Sequence, residues 1–180
     1  MNKIKLNDKE FQISIHSDKI QSVVKHVANQ ISEDFRDKDV PVFLSILNGA
    51  FMFTADLFKY LSIDAYVTFV KFASYSGTTS SGKVKQLIGL NEDLEGRNVI
   101  VLEDIVDSGL TIKQLSRQLD SLNLKEYKIA SFLHKPDACE EDIKIDYVGM
   151  EIPNDFIVGY GLDYDGLGRN YKDIYTLISE

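Results

Sequence analysis

The fold is decided by residues 99–111, which read VIVLEDIVDSGLT. The first four are apolar without a break, a pattern typical of a strand that is covered on both faces of a sheet. Two adjacent carboxylates, Glu103 and Asp104, follow at once, and Asp107 comes three residues later. A Ser-Gly-Leu-Thr turn then leads into a segment, from about Thr111 to Leu122, whose apolar residues recur at helical spacing. The stretch predicts a buried strand, a polar turn and a helix in that order.

The neighbouring segments repeat this order of strand and helix. Apolar runs predict further strands and apolar stripes predict helices, the first of which Ser17 could cap. Alternation of this kind predicts an α/β fold with a parallel sheet and right-handed crossovers. Ligands of such sheets bind beyond the carboxyl ends of the strands. Strands are expected at about 40–47, 63–72, 127–133, 147–150 and 156–160, and helices at about 17–34 and 51–61.

The turn after the central strand has the residues of an anion site. The first N–H groups of a helix lack internal partners, so residues 108–111 can present N–H groups and two hydroxyls to a phosphate. Glu103 and Asp104 offer acceptors for sugar hydroxyls or for a metal ion, and Asp107 can act as a base. The alternative is that Asp107 or Ser108 only caps the helix. Three clustered carboxylates favour a ligand site, because like charges destabilise one another unless something compensates them.

Composition limits the partners. The chain of 180 residues carries a formal net charge of -8, which disfavours binding to nucleic acid or to anionic lipid. The single cysteine, Cys139, excludes a disulfide framework and a cysteine-rich zinc site. No apolar stretch is long enough to span a bilayer, and the first residues have no signal-peptide core. We therefore expect one cytoplasmic domain over residues 1–180, with no membrane or nucleic-acid partner.

Residues 99–111 resemble the phosphoribosyl pyrophosphate (PRPP) signature of the type I phosphoribosyltransferases: an apolar strand, two acids, two further residues, then Asp-[Ser/Thr]-Gly-x-Thr. The resemblance implies a parallel-sheet core at about 36–150 and a small hood built mainly from residues 151–180 together with N-terminal residues. It also implies Mg²⁺ as the cofactor. The implied roles are a catalytic base at Asp107, ribose and metal contacts at Glu103 and Asp104, and a 5-phosphate site at Ser108, Gly109, Leu110 and Thr111.

From about Val40 onward the order and spacing of the chain are similar to those of hypoxanthine(-guanine) phosphoribosyltransferases. Asn48 and Gly49 occupy the place of that family's pyrophosphate loop, where Lys-Gly-Gly is common. Asn48 stands where many members have the lysine, and Ala50 where they have the second glycine. A lysine contact to pyrophosphate, or across a subunit interface, is therefore not expected here.

A long polar segment with two glycines and many hydroxyls runs from Ser74 to Lys85. Taken alone, it could be a surface excursion, because long loops are either functional or disordered. Ser74 and Tyr75 match the start of the family's mobile catalytic loop, which the resemblance places at about 74–86. The implied task of that loop is to close over the reaction centre and exclude water.

The resemblance also assigns the purine end of the site. Lys135 aligns with the lysine that donates to the purine O6, and an ammonium group favours a 6-oxo over a 6-amino group because it has donors only. Taken alone, Lys135 would be a surface lysine and Phe156 a core residue. The other implied roles are stacking on the purine by Phe156, backbone contacts to the base from Ile157, contact with the purine C2 side and with a second metal ion by Asp163, and pyrophosphate binding by Arg169.

Together these features predict purine salvage, in which the 5-phosphoribosyl group of PRPP is transferred to hypoxanthine and, as a second base, to guanine. Two alternatives remain open: a guanine- or xanthine-preferring enzyme of the same fold, and a regulator that keeps the fold and binds RNA. The net charge of -8 disfavours the RNA-binding regulator. The resemblance further implies a homodimer or homotetramer.

Overall fold

The computed structural model describes residues 2–73, 85–88, 93–139 and 141–178, and for residues 73 and 85–88 it describes the backbone alone. Ser74 and Tyr75, predicted to begin a catalytic loop, lie outside the described residues. The described elements are, in chain order, β1 (Lys3–Leu6), β2 (Lys9–Ile15), α1 (Ser17–Phe35), β3 (Val42–Leu47), α2 (Phe51–Tyr60), β4 (Tyr66–Ala73), β5 (Lys85–Ile88), β6 (Asn98–Val106), α3 (Leu110–Leu119), β7 (Glu126–His134), β8 (Tyr147–Glu151), β9 (Ile157–Val158) and β10 (Ile174–Leu177).

Among the described strands, six form the core sheet, in the order β5-β4-β3-β6-β7-β8. Every neighbouring pair is parallel except β4 with β5, which is antiparallel. The parallel α/β arrangement predicted from the sequence is therefore confirmed. Because β3 and β6 are neighbours at the centre, the loops that follow them lie side by side at the carboxyl edge of the sheet.

The strand β6 is longer than predicted. It continues to Val106, so Glu103 and Asp104 lie inside the strand and not beyond its end. Its parallel pairing with β7 also continues, up to Val106 opposite His134. Asp107 follows Val106 and Lys135 follows His134, so the two residues lie next to each other at the carboxyl edge of the sheet.

Helices cover both faces of the sheet. Alternate strand residues point to opposite faces, and α1 and α2 pack on the face that carries Phe43, Ile100 and Phe132. The other face carries Val42 and Val101 and is covered by α3. Full burial of each large apolar side chain contributes roughly 1.5–3 kcal/mol, so these stripes hold the helices in place. None of the described helices is long and apolar enough to cross a membrane.

The start of α1 differs from the prediction. Ser17 is the first residue of the helix and not its cap, and His16 at the N-cap position makes no capping hydrogen bond with its side chain. The N–H group of Ser17 instead donates to Asp173 Oδ1 at 2.6 Å. The prediction is wrong because a carboxylate from far along the chain takes the place of a local cap.

A second described sheet has the antiparallel order β1-β2-β10-β9. It joins residues 3–15 to residues 157–177, and we call it the hood. Phe11 and Val158 are fully buried at its centre. The periodicity of the sequence predicts none of β1, β2 and β10, and it predicts a strand at 156–160 where β9 covers only two residues. β9 ends there because residues 159–161 all have positive φ and turn the chain away.

Candidate active site

The turn between β6 and α3 is open to an anion. Gly109 occupies the N-cap position of α3 with a φ of 85°, a conformation that favours glycine. A Cβ atom at Gly109 would lie 2.5 Å from Ile143 Cδ1, so a larger residue would have to displace the end of that side chain. In the part of the chain that the structure describes, no side chain caps α3. The capping role considered for Asp107 and Ser108 is therefore not observed, and the first N–H groups of α3 remain available to a ligand.

Glu103 and Asp104 carry charge that their surroundings compensate poorly. Glu103 is only 7% exposed, and its Oε2 has no hydrogen-bond partner within the described residues. Burial, and secondly the charge of Asp104, raise the pKa of Glu103 well above its ordinary value. Burial also raises the pKa of Asp104 from 3.8 to about 6, although its own N–H group and that of Ile105 donate to the carboxylate. Buried acids of this kind favour a site that binds hydroxyl donors or cations.

Asp107 and Lys135 form an ion pair at the same sheet edge. The Nζ atom of Lys135 lies 3.1 Å from Asp107 Oδ2. The side chain of Lys135 is 7% exposed, whereas that of Asp107 is 53% exposed. The N–H group of Lys135 donates to the carbonyl of Val106 at 2.9 Å, which fixes the lysine against the end of β6. The pair presents one base and one donor group side by side.

The loop of residues 47–50 lies directly beside the acids. Its Leu47–Asn48 peptide bond is cis. A Cβ atom on Gly49 would lie 1.5 Å from Asp104 Oδ2, so the carboxylate occupies the space that a side chain would need. Gly49, Asp104 and Thr111 line one hollow of about 190 Å³. Thr111 and Glu103 also line a smaller hollow of about 70 Å³ under the turn, so the two hollows adjoin.

Asp163 and Arg169 meet in the segment between β9 and β10. We call this segment, together with Phe156 and the hood sheet, the hood wall of the site, and we call β6, the turn after it and Lys135 the core wall. Arg169 Nη2 lies 2.5 Å from Asp163 Oδ1, and Arg169 Nη1 donates to the carbonyl of Gly161 at 2.7 Å. The N–H group of Gly166 donates to Asp163 Oδ2 at 2.7 Å. Gly161 touches the 47–50 loop, since a Cβ atom there would lie 2.1 Å from the carbonyl oxygen of Gly49. Arg169 is thus held close to the loop and to Asp104.

Phe156 directly precedes β9 and is 45% exposed. Its ring centroid is 6.2 Å from that of Phe11 and 5.9 Å from that of Tyr164. The ammonium group of Lys9 lies 5.7 Å from the Phe156 centroid and 4.8 Å from the Tyr164 centroid. Among the described contacts, none joins Phe156 to Lys135. The two residues predicted to bind the purine are therefore positioned separately, Phe156 by the hood wall and Lys135 by the core wall.

The backbone of Ile157 is directed away from the sheet. The N–H group of Leu177 donates to the carbonyl of Phe156, and Ile157 lies opposite Thr176 in the next position of the ladder. Hydrogen-bonded and non-hydrogen-bonded pairs alternate along an antiparallel ladder. The N–H and C=O groups of Ile157 therefore point to the outer edge of β9, where they can meet a ligand.

A comparison with known protein families decides what this arrangement is. Residues 14–165 match the model of the phosphoribosyl transferase domain. The chain belongs to the phosphoribosyltransferase family.

Relatives of this phosphoribosyltransferase are known from several bacteria. It is 39% identical over 171 residues to the hypoxanthine-guanine phosphoribosyltransferase of Mycobacterium tuberculosis, covering 92% of this chain and 85% of the relative. It is 38% identical over 167 residues to the enzyme of that name from Bacillus subtilis, covering 92% of each chain.

Solved structures show the same fold. A crystal structure of a hypoxanthine-guanine phosphoribosyltransferase from Bacillus anthracis is 36% identical, with a TM-score of 0.87 over 97% of this chain and all of the other. A hypoxanthine phosphoribosyl transferase from Trypanosoma cruzi is 33% identical, with a TM-score of 0.88 over 97% of this chain and 95% of the other. The fold predicted from residues 99–111 and their flanks is therefore that of the family.

The three residues predicted to bind a metal ion, Glu103, Asp104 and Asp163, do not form a complete set of ligands around one position. Within the described residues, no group of three or more His, Cys, Asp or Glu is placed to hold an ion by itself. Glu103 and Asp104 lie on the core wall, whereas Asp163 lies on the hood wall with both oxygens engaged. An ion here would need water and substrate oxygens to complete its shell, as Mg²⁺ usually does.

Sequence reasoning missed two contributors to the site. Gly161 contacts Gly49 and Arg169, and the Gly-Tyr-Gly run at 159–161 was the signal that could have indicated a special turn. Lys9 reaches the rings of Phe156 and Tyr164 from the start of β2. No local pattern indicated Lys9, because its contacts depend on the pairing of both ends of the chain.

Proposed function

We propose that this phosphoribosyltransferase transfers the 5-phosphoribosyl group of PRPP to hypoxanthine, with guanine as a second base, and releases pyrophosphate. The observation that carries the proposal is the Asp107–Lys135 pair, 3.1 Å apart, at the edge of an uncapped helix N-terminus. The pair offers a base and a donor to a 6-oxopurine, and the N-terminus offers N–H groups to a phosphate.

The core wall is suited to the ribose and its phosphate. The N–H groups and hydroxyls of Ser108 to Thr111 would anchor the 5-phosphate and so convert the reaction into a positioned encounter. Glu103 Oε2, which lacks a described partner, would accept from a ribose hydroxyl, and Asp104 would take the other. Both carboxylates would also favour the positive charge that develops on the ribose during transfer.

The purine would be held between the two walls. Lys135 would donate to O6, and the outward N–H and C=O groups of Ile157 would meet the base edge. The half-exposed ring of Phe156 would stack on the purine face. Asp163 would face the C2 side of the base.

In the transfer step itself, the protein supplies a base for the purine and groups that bind the departing pyrophosphate. The N9 atom of the purine attacks C1 of the ribose while the bond from C1 to the pyrophosphate oxygen breaks, and the electron pair leaves with pyrophosphate. Asp107 accepts the proton from N7, which keeps the purine neutral as the new bond forms. Arg169 and the N–H groups of the 47–50 loop would bind the departing pyrophosphate.

We also propose Mg²⁺ as the cofactor. The residues fit such an ion in chemical type, because Glu103, Asp104 and Asp163 supply hard oxygen ligands and Glu103 Oε2 lacks a partner among the described residues. When bound, Mg²⁺ supplies positive charge that stabilises the leaving pyrophosphate.

The proposal is tested by product formation. Purified protein is incubated with PRPP, Mg²⁺ and each of hypoxanthine, guanine, xanthine and adenine, and the nucleotides are separated by chromatography. We expect IMP and GMP, little xanthosine monophosphate and no AMP. Xanthosine monophosphate as the main product would favour the xanthine-preferring alternative. RNA binding at low salt without any nucleotide product would favour the regulator.

We further propose that the protein is a homodimer. Val67 and Phe69 of β4 lie on the α2 face of the sheet, and both are exposed, as is Phe51 of α2. A second copy of the chain would cover these side chains, since exposed apolar patches mark interfaces. Light scattering should show a dimer for the wild type and for the hood control Leu167→Lys, and a monomer for Phe69→Lys. A monomeric wild type would contradict the proposal.

A further inference from the structure

We propose that Asp56 is a positioning residue for the pyrophosphate half of the site and that it acts through Tyr160. Asp56 is outside the cleft, on α2, and touches none of the predicted ligand-binding residues among its described partners. The inference deepens the proposed function and rests on it, because it assumes that Arg169 and the 47–50 loop bind pyrophosphate.

The Asp56 carboxylate joins three parts of the molecule. Its Oδ2 atom accepts from Gln21 Nε2 of α1 at 2.5 Å and from the hydroxyl of Tyr160 at 2.8 Å. Its Oδ1 atom lies 2.6 Å from Lys59 Nζ. The side chain of Asp56 is 14% exposed and that of Lys59 is 68% exposed. The bonds to Gln21 and Tyr160 are therefore the sheltered ones, and the ion pair is the part that water screens.

Tyr160 is held in an unusual backbone conformation. Its φ is 48°, between Gly159 at 99° and Gly161 at 98°, and a residue with a side chain seldom adopts such an angle without support. The ring is buried, with its centroid 5.0 Å from that of Phe132. The N–H group of Tyr160 donates to the carbonyl of Tyr171 at 2.8 Å. The Asp56 bond fixes the far end of the side chain, so the residue is anchored at both ends.

The next residue, Gly161, lies between the two groups proposed to bind pyrophosphate. Its carbonyl accepts from Arg169 Nη1 at 2.7 Å, and its N–H group donates to the carbonyl of Arg169 at 3.0 Å. On the other side it packs against the Gly49 carbonyl so closely that a Cβ atom would be 2.1 Å away. A displacement of Tyr160 would therefore move Arg169 and disturb the 47–50 loop together.

The buried environment of the Tyr160 hydroxyl makes Asp56 hard to replace. Burial, and secondly the hydrogen bond to Asp56, raise the pKa of Tyr160 far above its ordinary value, so the hydroxyl keeps its proton and remains a donor. A buried donor without an acceptor is strongly unfavourable, and the turn would have to shift to find one. Such a shift would move Gly161, which packs against the carbonyl of Gly49.

The test measures pyrophosphate binding separately from purine binding. Isothermal titration gives the Kd for pyrophosphate with Mg²⁺ present, and steady-state kinetics give the KM for PRPP and for hypoxanthine. For Asp56→Ala we expect the pyrophosphate Kd and the PRPP KM to rise about 10-fold, the size expected when a hydrogen bond to a charged group is lost. For Tyr160→Phe, which frees the ring without leaving a buried donor unpaired, we expect a smaller rise of roughly three-fold. The hypoxanthine KM should change less than about two-fold, because Lys135 on the core wall is unaffected by these substitutions.

Two further variants separate positioning from general stability. Asp56→Asn keeps an acceptor for the Tyr160 hydroxyl and should restore most of the affinity. Lys59→Met removes only the exposed ion pair and should behave as the wild type. Tyr160→Phe deletes one hydroxyl and leaves Asp56 paired with Gln21 and Lys59, so it remains informative if Asp56→Ala does not fold.

Arg169→Ala distinguishes failure of this inference from failure of the proposed function. If Arg169→Ala weakens pyrophosphate binding while Tyr160→Phe and Asp56→Ala do not, the role of Asp56 is refuted and the proposed site stands. Equal rises in the PRPP and hypoxanthine KM would show a general structural role and would also refute it. No effect of Arg169→Ala would overturn the pyrophosphate site itself.

Discussion

The two walls of the cleft differ in how well their charges are compensated. On the core wall, Glu103 Oε2 lacks a partner among the described residues, and the pKa of both Glu103 and Asp104 is raised by burial. On the hood wall, Asp163 has a partner for each oxygen and Arg169 is paired with it. Glu103 and Asp104 on the core wall are therefore the less well compensated acids, even though Arg169 partly offsets the charge of Asp104, whereas Asp163 and Arg169 on the hood wall are paired with each other.

This difference has a consequence for substitutions. Removing the charge of a buried acid from the core wall should lower the catalytic rate but stabilise the folded protein, because that charge is unfavourable when no ligand is bound. Removing a contact from the hood wall should weaken ligand binding without this gain in stability, since the charges there are already paired. Four substitutions test this contrast.

The largest effect is expected for Asp107→Asn. Asparagine keeps the size and an acceptor but cannot take the N7 proton, so kcat should fall about 10²- to 10⁴-fold, the range of general acid–base catalysis. PRPP affinity should stay near normal. Steady-state kinetics and PRPP titration check this, with Asp137→Asn, an exposed acid in the loop after β7, as the control. Unchanged turnover would remove Asp107 from the role of base.

Asp104→Asn should stabilise the free protein at neutral pH. The folded-state pKa of about 6 lies above the ordinary value of 3.8, so the folded state binds the proton more tightly. Stability is therefore lost as pH rises from about 4 through about 6. At about 1.4 kcal/mol per pKa unit, the loss above pH 6 is on the order of 3 kcal/mol.

Urea unfolding at pH 4.5 and pH 7.5 measures this effect. The variant should exceed the wild type at pH 7.5 and match it more closely at pH 4.5, while its PRPP affinity falls. Asp37→Asn, at an exposed position, serves as the control. A variant less stable than the wild type at pH 7.5 would show that the core wall is already compensated.

Lys135→Ala should weaken purine binding and leave PRPP binding nearly unchanged. A hydrogen bond from a charged donor is worth about 1.5–3 kcal/mol, which corresponds to a rise of roughly 10- to 100-fold in the hypoxanthine KM. Lys125→Ala, an exposed lysine at the opposite end of β7, is the matched control. Equal losses for both substrates would argue against base recognition by Lys135.

The smallest effect is expected in the hood, for Lys9→Met. Lys9 contacts the rings of Phe156 and Tyr164, and cation–π contacts at exposed sites contribute about 0.5–1 kcal/mol. The hypoxanthine KM should rise about two- to five-fold with the PRPP KM unchanged, and Lys5→Met should have no effect. A rise as large as that of Lys135→Ala would show that the hood wall is not the better-compensated side.

The contrast between the walls also explains what the sequence could predict. The core wall is contiguous: residues 99–111 contain the strand, the acids, the turn and the start of the helix, so their order alone indicated their geometry. The meeting of Asp107 with Lys135 was not predicted, because it depends on the pairing of β6 with β7, which brings both residues to one sheet edge. Even there, local reasoning ended β6 too early, because charged residues inside a strand look like the end of one.

The hood could not be predicted in the same way. β1, β2 and β10 are short, mixed in polarity and stabilised by partners from the other end of the chain. Ser17 looked like a local cap, yet Asp173 supplies the acceptor. The contact of Gly161 with Gly49 depends on a backbone conformation that no periodicity records.

The position of β10 between β2 and β9 determines when the hood sheet can form during synthesis of the chain. A chain emerging from the ribosome presents β1 and β2 first, but their sheet cannot be completed until residues 174–177 have been made. The core strands β3 to β8 are all available before that moment, and domains assemble from the N-terminus as synthesis proceeds. A nascent chain therefore has residues 99–111, the proposed phosphate and ribose site, before the hood sheet that positions Phe156 and Ile157 is complete. The proposed site is therefore completed only after residues 174–177 have been made.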